Sequence, residues 1–525
     1  MSVGATGEAD AGRFFGPRLE RSHVAAIAMV AALGLLLLAW VFGNAPFNAP
    51  DETQHYLRGV GIGEGHLIGP RMQYPRAGLT HREYAWMEQA ARLVSLPAGL
   101  DPTGVDCSAQ HPEVSALCVA SARSPGARHL GVQVGNYQPL PYVLPGVLMV
   151  HGHTPVQAMY LARLASAAQT LALLAIGVFA FVAGRRRAGA RLAGVAVALT
   201  PMVIFICSSL NPSGVEIAAG FAFAACVLRL ADSPRRSTWF AAGVTAVVLG
   251  VSRSPGAVWV VLLCALFVVW AGWRRVRDLA RTARVPAVLV AGAALVGVVS
   301  NRLWEQRYGS HVTSIVPSPG RFVRTLWQLT PTMARQTVGD FGYLNLKLPP
   351  VSYWAWWLLA ITLVLGAIAA SRTRNRLILV AAAAFVIVLP TLQDFYVGIG
   401  SGYGVQARHV LPILVALPLL AAEALAVSAT RRASRLASHA VWIVAGCAAL
   451  QFVAWWTNAR RSAGGTFGPI LFFTHPSWSP PLGWWPWLLT AVAASALFGV
   501  AARQGSASDA VAQVDGAAAE PLLVD

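Results

Sequence analysis

The sequence predicts an all-α polytopic membrane protein with about twelve transmembrane helices, short basic loops on one side and a large first loop on the other. Three observations carry that prediction. Of the 525 residues, 56% are hydrophobic and only 12% charged, with a mean hydropathy of +0.56, too apolar for a soluble chain of this length. Apolar runs long enough to cross about 30 Å of hydrocarbon recur along the chain. Arginine clusters fall on every second connection, the pattern of loops kept on the cytoplasmic side.

The first run, roughly Val24 to Phe42, is followed by no small-residue cleavage site and reads as a retained span. Further runs lie at about 156–183, 192–210, 214–231, 238–252, 256–272, 286–300, 352–370, 377–392, 409–428, 439–457 and 485–502. Several are short, so roughly ten to thirteen spans are expected. Arg13, Arg18 and Arg21 precede the first span and put the N-terminus inside. Arg185–Arg187 with Arg191, Arg235 with Arg236, the stretch Arg274 to Arg284, Arg372 to Arg376 and Arg431 to Arg435 mark the later inner loops. The C-terminus then also lies in the cytoplasm, and the chain is a multi-pass protein of a bacterial plasma membrane. The net charge of +18 is topological. Its arginines are dispersed over short loops without interleaved aromatics, so nucleic acid is not an expected partner.

The chain divides into an inner segment (1–22), a membrane domain (23–503) and a small, polar tail (504–525). The tail carries Asp509, Asp515, Glu520 and Asp525 and is expected to be disordered. The outer loops are unequal: 43–154 and 301–351 are large, 393–408 and 458–484 smaller. So long a first loop, with Tyr84, Trp86 and many prolines, should build a layer on the outer face, where function is expected. Within it HREYAWMEQAARLV (81–94) has helical spacing. NYQPLPYVLPGVLMV (136–150), broken by Pro139, Pro141 and Pro145, suits an interfacial or re-entrant segment. Cys207, Cys226, Cys264 and Cys447 lie in spans as packing residues. Cys107 and Cys118 share the first outer loop, where a disulfide is compatible with an oxidising compartment but is not fixed by two positions. No CxxC or HExxH spacing offers a zinc site.

The chemistry concentrates in NAPFNAPDETQHYLRG (44–59), directly behind the first span. Asp51 and Glu52 are adjacent, and His55 follows one turn later if Pro50 opens a helix at its first position, with Tyr56 and Arg58 nearby. Carboxylates just outside the lipid can act as a general base toward an acceptor hydroxyl or hold a divalent cation against phosphate oxygens. They can equally enrich a helix N-terminus, where the dipole favours them. Glu216, behind SSLNPSGVE, is costly at that depth unless it faces a cavity or partner, or sits at the wet end of its helix. Asn211 in the same stretch and Arg58 are further candidates for substrate or phosphate contacts. Asp340 closes QTVGD and Asp394 follows the ninth run. Arg408, in GYGVQARHVLP, has the planar fork that suits a phosphate, or a headgroup anchor.

PDETQHYLRG, NYQPLPY, ALTPMVIFICSSLNPSGVE and VQARHVLPI, in this order, resemble actinobacterial members of the membrane family catalogued as domain of unknown function 2142. The resemblance runs over roughly residues 20–500, and that family is in turn similar to the GT-C glycosyltransferases. It implies an inverting transfer of a sugar from a polyprenyl-phosphate donor to an envelope glycan, lipid or protein acceptor on the outer face. Asp51 would be the catalytic base and Glu52 its metal-binding or positioning partner, with His55 completing the pattern. Arg408 matches the arginine before a late span, with Ala407 and His409 where relatives carry Gly and Tyr. Ser213 stands where many relatives have Asp, and Glu216, one turn on, would substitute. Trp86, Tyr137 and Trp304 would be sugar-stacking walls, or else membrane anchors. A divalent cation, Mg2+ or Mn2+, is the one cofactor left open, and membrane lipids are expected neighbours. Two other readings share the spans and basic loops. A flippase or transporter of lipid-linked saccharides should carry charges deep in several spans, where Glu216 and Glu423 are the clear cases; the other is a non-catalytic scaffold for envelope assembly.

Overall fold

The computed structural model describes residues 20–121, 126 and 129–519. Arg13, Arg18, Glu520 and Asp525 lie outside the described residues. Helix α1 (Arg21–Gly43) is apolar all round, and its 23 residues outrun the bilayer core. The long first loop folds as α2 (Glu52–Gly63), α3 (His81–Ala90), α4 (Leu117–Ser121) and α5 (Leu140–Met149), with β1 (Arg92–Ser95) antiparallel to β2 (His129–Val132) and Arg92 opposite Val132. The bundle continues with α6 (Pro155–Val182), α7 (Ala188–Ala198), α8 (Pro201–Cys207), α9 (Pro212–Asp232), α10 (Arg236–Gly250), α11 (Gly256–Ala271), α12 (Trp273–Thr282) and α13 (Arg284–Tyr308). The second large loop holds α14 (Pro319–Val338) and a short hairpin of β3 (Asp340–Phe341) and β4 (Leu346–Lys347). After α15 (Pro350–Ala370) and α16 (Thr373–Gln393) come a π-helical turn (Asp394–Gly398), α17 (Ile399–Ser401) and a 3-10 turn (Ala407–His409). The chain closes with α18 (Leu411–Leu414), α19 (Ala416–Val427), α20 (Arg431–Ser438), α21 (Ala440–Gly464) and α22 (Trp485–Ala519).

All twelve apolar runs are helical, and the protein is an all-α polytopic membrane protein. Among the described residues eight helices are long and apolar enough to cross a membrane, or up to ten if the bent pairs α7–α8 and α11–α12 each count as one span. Two runs counted among the expected twelve fall short. The 15 residues of α10 reach only about 22 Å, and the stretch Leu411–Val427 is punctuated by Pro412 and Pro418. The bends have local causes. Thr200 caps α8 by accepting from Val203 N–H, Pro201 opens it, and the axis turns 69°. Gly272, at φ +81°, turns α11 into α12 by 101°.

Two further expectations are corrected. The helix beginning at His81 stops at Ala90, because Ala91 is extended and Arg92–Ser95 pairs with β2. The tail from residue 504 continues α22 as far as Ala519. Alanine favours the helix, and contacts tie it down: Asp509 Oδ2 accepts from Gly189 N–H at 3.2 Å and Ala507 O accepts from Arg21 at 3.5 Å. Cys107 and Cys118 form a disulfide, and the other four cysteines are free.

The spans pack as α1 on α22 and α6, α6 on α9, and α9 on α10 and α11. The crossing of α2 over α5 is so close that a Cβ on Gly63 would meet Gly146 O at 2.3 Å. The two ends of the bundle differ. One carries Asp51, the disulfide and the large loops. The other carries the arginine clusters, where buried Glu423 pairs with Arg191 and, at 2.8 Å, with Arg185, which reaches Asp232 at 2.7 Å. Glu423 is thus neutralised inside a structural ion cluster.

Candidate functional site

The site begins where α1 ends. Helix α1 leaves its last carbonyls without intrahelical partners. Arg163, fully buried on α6, satisfies three groups at that corner: Val41 O at 3.2 Å, Asn44 O at 2.6 Å and Ala45 O at 2.9 Å. The same guanidinium grips Glu52 with both prongs, Nε to Oε1 at 2.7 Å and Nη2 to Oε2 at 2.5 Å. Leu210 N–H and Ala49 N–H donate to the same two oxygens. Glu52 is 0% exposed and each oxygen accepts two hydrogen bonds, so the carboxylate is held as an anchor of this corner.

With Glu52 turned inward, Asp51 turns outward. It occupies the N-cap position of α2 at φ +58°, a left-handed conformation that costs a non-glycine residue, and its side chain makes no capping bond. Helix α2 therefore starts at Glu52, later than an opening at Pro50 would give, and simple enrichment of a helix start does not explain Asp51. Pro50 O is held by Asn211 Nδ2 at 3.2 Å and Arg408 Nη1 at 3.4 Å. Asp51 Oδ2 accepts from Arg408 Nη2 at 2.5 Å, and the carboxylate remains 47% exposed. Burial pushes its carboxyl up, but Arg408, by its charge and its hydrogen bond, with Arg253 assisting, more than offsets this and holds it below the usual carboxylate range.

His55 is buried against Tyr137 and Tyr142 and shares a 2.8 Å hydrogen bond between Nδ1 and the Tyr142 hydroxyl. Burial drives its pKa down to about 3, Asp51 opposing and Arg408 and Arg253 assisting, so the imidazole is neutral at physiological pH. Arg408 is itself buried, and its Nε has no hydrogen-bond partner among the described residues.

A second cation joins this cluster. Arg253, between α10 and α11, reaches Glu216 Oε2 at 3.4 Å and Ser213 Oγ at 3.1 Å and lies over the Tyr137 ring at 5.7 Å. Glu216 is 0% exposed and also accepts from Trp259 Nε1 at 3.0 Å. It therefore orients Arg253 and offers no free carboxylate to a substrate. Asn301 braces the same loop through Gly250 O and Arg253 O at 2.6 and 2.8 Å. Arg253 belongs to no motif among the sequence candidates. Its signal is that an arginine in GVSRSPG, away from the basic loops, has no topological reason to be there.

Other candidates also act as braces. Arg58 donates from Nη2 to Leu67 O at 2.7 Å and Tyr137 O at 2.6 Å, while its buried Nε has no hydrogen-bond partner among the described residues. Asn211 caps α9 by accepting from Ser213 N–H while it holds Pro50. Trp304 donates to Asn136 O at 2.8 Å, and Trp86 is half-buried on α3. Asp340 is buried in the β3–β4 hairpin, where desolvation pushes it up to about 6 against Arg335 and Lys347. Asp394 Oδ1 accepts from Val405 N–H at 3.2 Å. Among the described residues there is no group of three or more His, Cys, Asp and Glu side chains that could hold a metal ion. With Glu52 committed and Asp51 paired to an arginine, the donor set does not fit a protein-held divalent cation.

An apolar cavity of about 260 Å³ lies between α14, α15, α16 and the α7–α8 and α18–α19 breaks. Met333, Trp356, Trp357, Pro390 and Leu411 line it, and Leu411 is three residues from Arg408. A half-exposed carboxylate paired to a buried arginine thus stands at one end of the bundle, one turn of chain from an apolar cavity between the helices.

That description defines a polytopic membrane protein with a polar site at the bilayer boundary. The model of the family described as "Predicted membrane protein (DUF2142)" matches residues 33–417, and the chain belongs to that family. Solved structures similar to it include ArnT from Cupriavidus metallidurans bound to undecaprenyl phosphate, at 18% identity over 84% of this chain and 78% of that one, TM-score 0.35. The apo state of the same protein is similar at 16% identity over 81% and 75%, TM-score 0.35. No curated protein matches the chain.

Proposed function

We propose that the protein is a GT-C-like glycosyltransferase that moves a sugar from a polyprenyl-phosphate donor to an acceptor on the outer face of the plasma membrane. One observation carries the reading: Asp51, in a left-handed corner at the end of α1, is ion-paired to Arg408 beside an apolar cavity. The arginine clusters at the opposite end of the bundle support an outward-facing Asp51 and cytoplasmic termini.

The donor's isoprenoid chain enters the apolar cavity, which puts its phosphate level with Arg408 and Arg253. As Arg408 turns part of its fork to the phosphate, Asp51 loses the partner that keeps its carboxyl acidic. Its basicity then rises toward what burial alone would give. Asp51 takes the proton of the acceptor hydroxyl, the oxygen attacks the anomeric carbon in line, and the bond from that carbon to the phosphate oxygen breaks. Polyprenyl phosphate leaves as the anion, with inversion. Arg408 and Arg253 stabilise the charge growing on it, as preorganised cations do in a low-dielectric site. Neutral His55, locked by Tyr142, fixes the back of Asp51 without adding a competing positive charge.

Comparing lipid-linked sugars and envelope glycans with and without the gene tests the reading. One polyprenyl-phosphate sugar should accumulate while one linkage disappears. In proteoliposomes Asp51→Asn should lower turnover about a hundred- to ten-thousand-fold, the usual worth of a positioned general base. Full restoration of the linkage by a stably expressed Asp51→Asn variant would remove the base assignment.

A further inference from the structure

The second large loop lies at the Asp51 end of the bundle, opposite the arginine clusters, yet residues 301–351 carry six basic side chains against two acidic ones. Loops on that side are usually poor in arginine, so these charges need another reason. Three of them, Arg321, Arg324 and Arg335, stand with Gln328 at spacings of three, four and seven residues, which places them in one stripe along α14. All four side chains are exposed, and among the described residues none of the three arginines forms a salt bridge. We infer that α14 lies in the outer membrane interface and that its arginine stripe binds the headgroups of anionic phospholipids, independently of the chemistry at Asp51.

The helix has three faces. Phe322, Leu329, Met333 and Gln336 turn inward: Phe322 stacks on Phe395 at 6.1 Å, Leu329 and Met333 line the apolar cavity, and Gln336 Oε1 accepts from Ala407 N–H at 3.0 Å. Val323, Trp327 and Pro331, spaced by four, form a second, open face, on which Trp327 is 83% exposed. The arginine stripe is the third and adjoins the apolar one, the pattern of a helix lying in an interface. Contacts put α14 at that height. Trp357, seven residues or about 10 Å below the start of α15, donates from Nε1 to Ala334 O at 3.3 Å. One end of α14 meets Phe395, just past the outer end of α16, and the other leads into β3. Its 20 residues, about 30 Å, therefore run across the ends of the spans, and it is not among the helices apolar enough to cross a membrane. Trp354, one turn nearer the outer end of α15 than Trp357, is 77% exposed, so two open tryptophans mark the belt where indole rings settle.

Phospholipid headgroups fit all of this. Val323 and Trp327 enter the boundary between acyl chains and glycerol, and the arginines, on long stems beside them, reach the phosphates. A guanidinium fork binds phosphate oxygens in pairs. Arg321 is held over the Phe395 ring at 5.6 Å, which leaves the N–H edges of its fork to such a ligand. A zwitterionic headgroup brings its own cation and cancels part of the attraction, whereas phosphatidylglycerol offers a net negative charge. Near an anionic surface each arginine is worth roughly fivefold in affinity. A soluble acidic partner would account for the arginines but not for two open tryptophans at the height of the headgroups.

The test uses the full-length protein in phosphatidylcholine nanodiscs, with Gln328→Cys carrying a bimane label on the stripe and the unsubstituted chain giving the background. Doxyl-labelled phosphatidylglycerol and phosphatidylcholine are the quenchers. Phosphatidylglycerol should half-quench the label at a mole fraction about tenfold below that of phosphatidylcholine, a part of what three arginines can supply. Arg321→Gln, Arg324→Gln and Arg335→Gln together should abolish that preference and leave quenching by phosphatidylcholine in place. Arg274→Gln, Arg277→Gln and Arg281→Gln on α12, at the opposite end of the bundle, should keep it. Salt at about 1 M, where the screening length falls to about 3 Å, should erase the preference with no arginine replaced, which tests the charge even where the triple variant does not fold. Equal quenching by the two lipids overturns the inference, as does a preference that survives the salt or, in a folded protein, the three substitutions. Quenching by neither lipid also overturns it and leaves the stripe to water and a soluble partner.

Discussion

Replacing Glu52 by Gln separates a structural anchor from a chemical group. Glu52 and Arg163 are 0% and 1% exposed at their side chains and joined by two hydrogen bonds of 2.7 and 2.5 Å. Glu52→Gln removes the charge and turns an amide N–H₂ toward one prong of the guanidinium. Arg163 is then buried without its counter-ion, which typically costs about 3–5 kcal/mol, a shift of roughly a hundred- to several-thousand-fold in the folding equilibrium. Arg163→Met should cost a similar amount, because it also abandons Val41, Asn44 and Ala45 carbonyls. The double variant should cost less than the sum, since the two side chains share one interaction. Thermal unfolding in nanodiscs and donor turnover per folded molecule are the two readouts. Both single variants should melt early, with turnover falling only as the folded fraction falls. A Glu52→Gln protein that melts like the unaltered chain yet turns over nothing would refute the structural assignment and return Glu52 to the chemistry.

Other outcomes follow from the same geometry. Arg408→Gln removes the chief force holding the Asp51 carboxyl low, so the acid limb of the kcat/KM profile should move to higher pH, activity now being lost as pH falls through a raised rather than a depressed pKa; an unmoved limb would disconnect the two residues. Ala360→Phe intrudes on the apolar cavity and should raise KM for a long-chain donor roughly tenfold, the worth of about two buried CH₂ groups, while sparing a short-chain analogue. Cys107→Ser with Cys118→Ser should lower stability by about 2–4 kcal/mol without changing donor affinity, and reducing agent should reproduce the drop in the unaltered protein.

Much of the fold was legible because lipid imposes one rule, an apolar helix per crossing, and each expected run is helical. The number of full-length spans was less legible: α10 and the stretch Leu411–Val427 are apolar but short or proline-broken, and apolarity alone does not register length. At the site, Asp51 and Arg408 stand out in the sequence, and the structure brings them together across the whole chain. The division of labour between Asp51 and Glu52 could not be read from adjacency. It depends on the left-handed backbone at Asp51, which sends neighbouring side chains opposite ways, and on Arg163, one charge in a long apolar run. For Arg58, position along the chain shows proximity and not direction: its Nη2 goes to two backbone carbonyls, which no motif announces.

The corner that carries Asp51 is finished by the far end of the polypeptide. Trp455 on α21 donates to Ala39 O at 2.9 Å, Asn458 to Gly43 O at 3.3 Å, and Ser462 accepts from Ala45 N–H at 3.2 Å, while α22 lies along α1. Roughly 400 residues separate these partners, about 20–80 s of ribosome time, during which the first helix waits in the bilayer with the turn at Asp51 unassembled. A chain that stops short of α21 therefore lacks the groups that close this corner, and the turn at Asp51 is completed only once that late helix has been made.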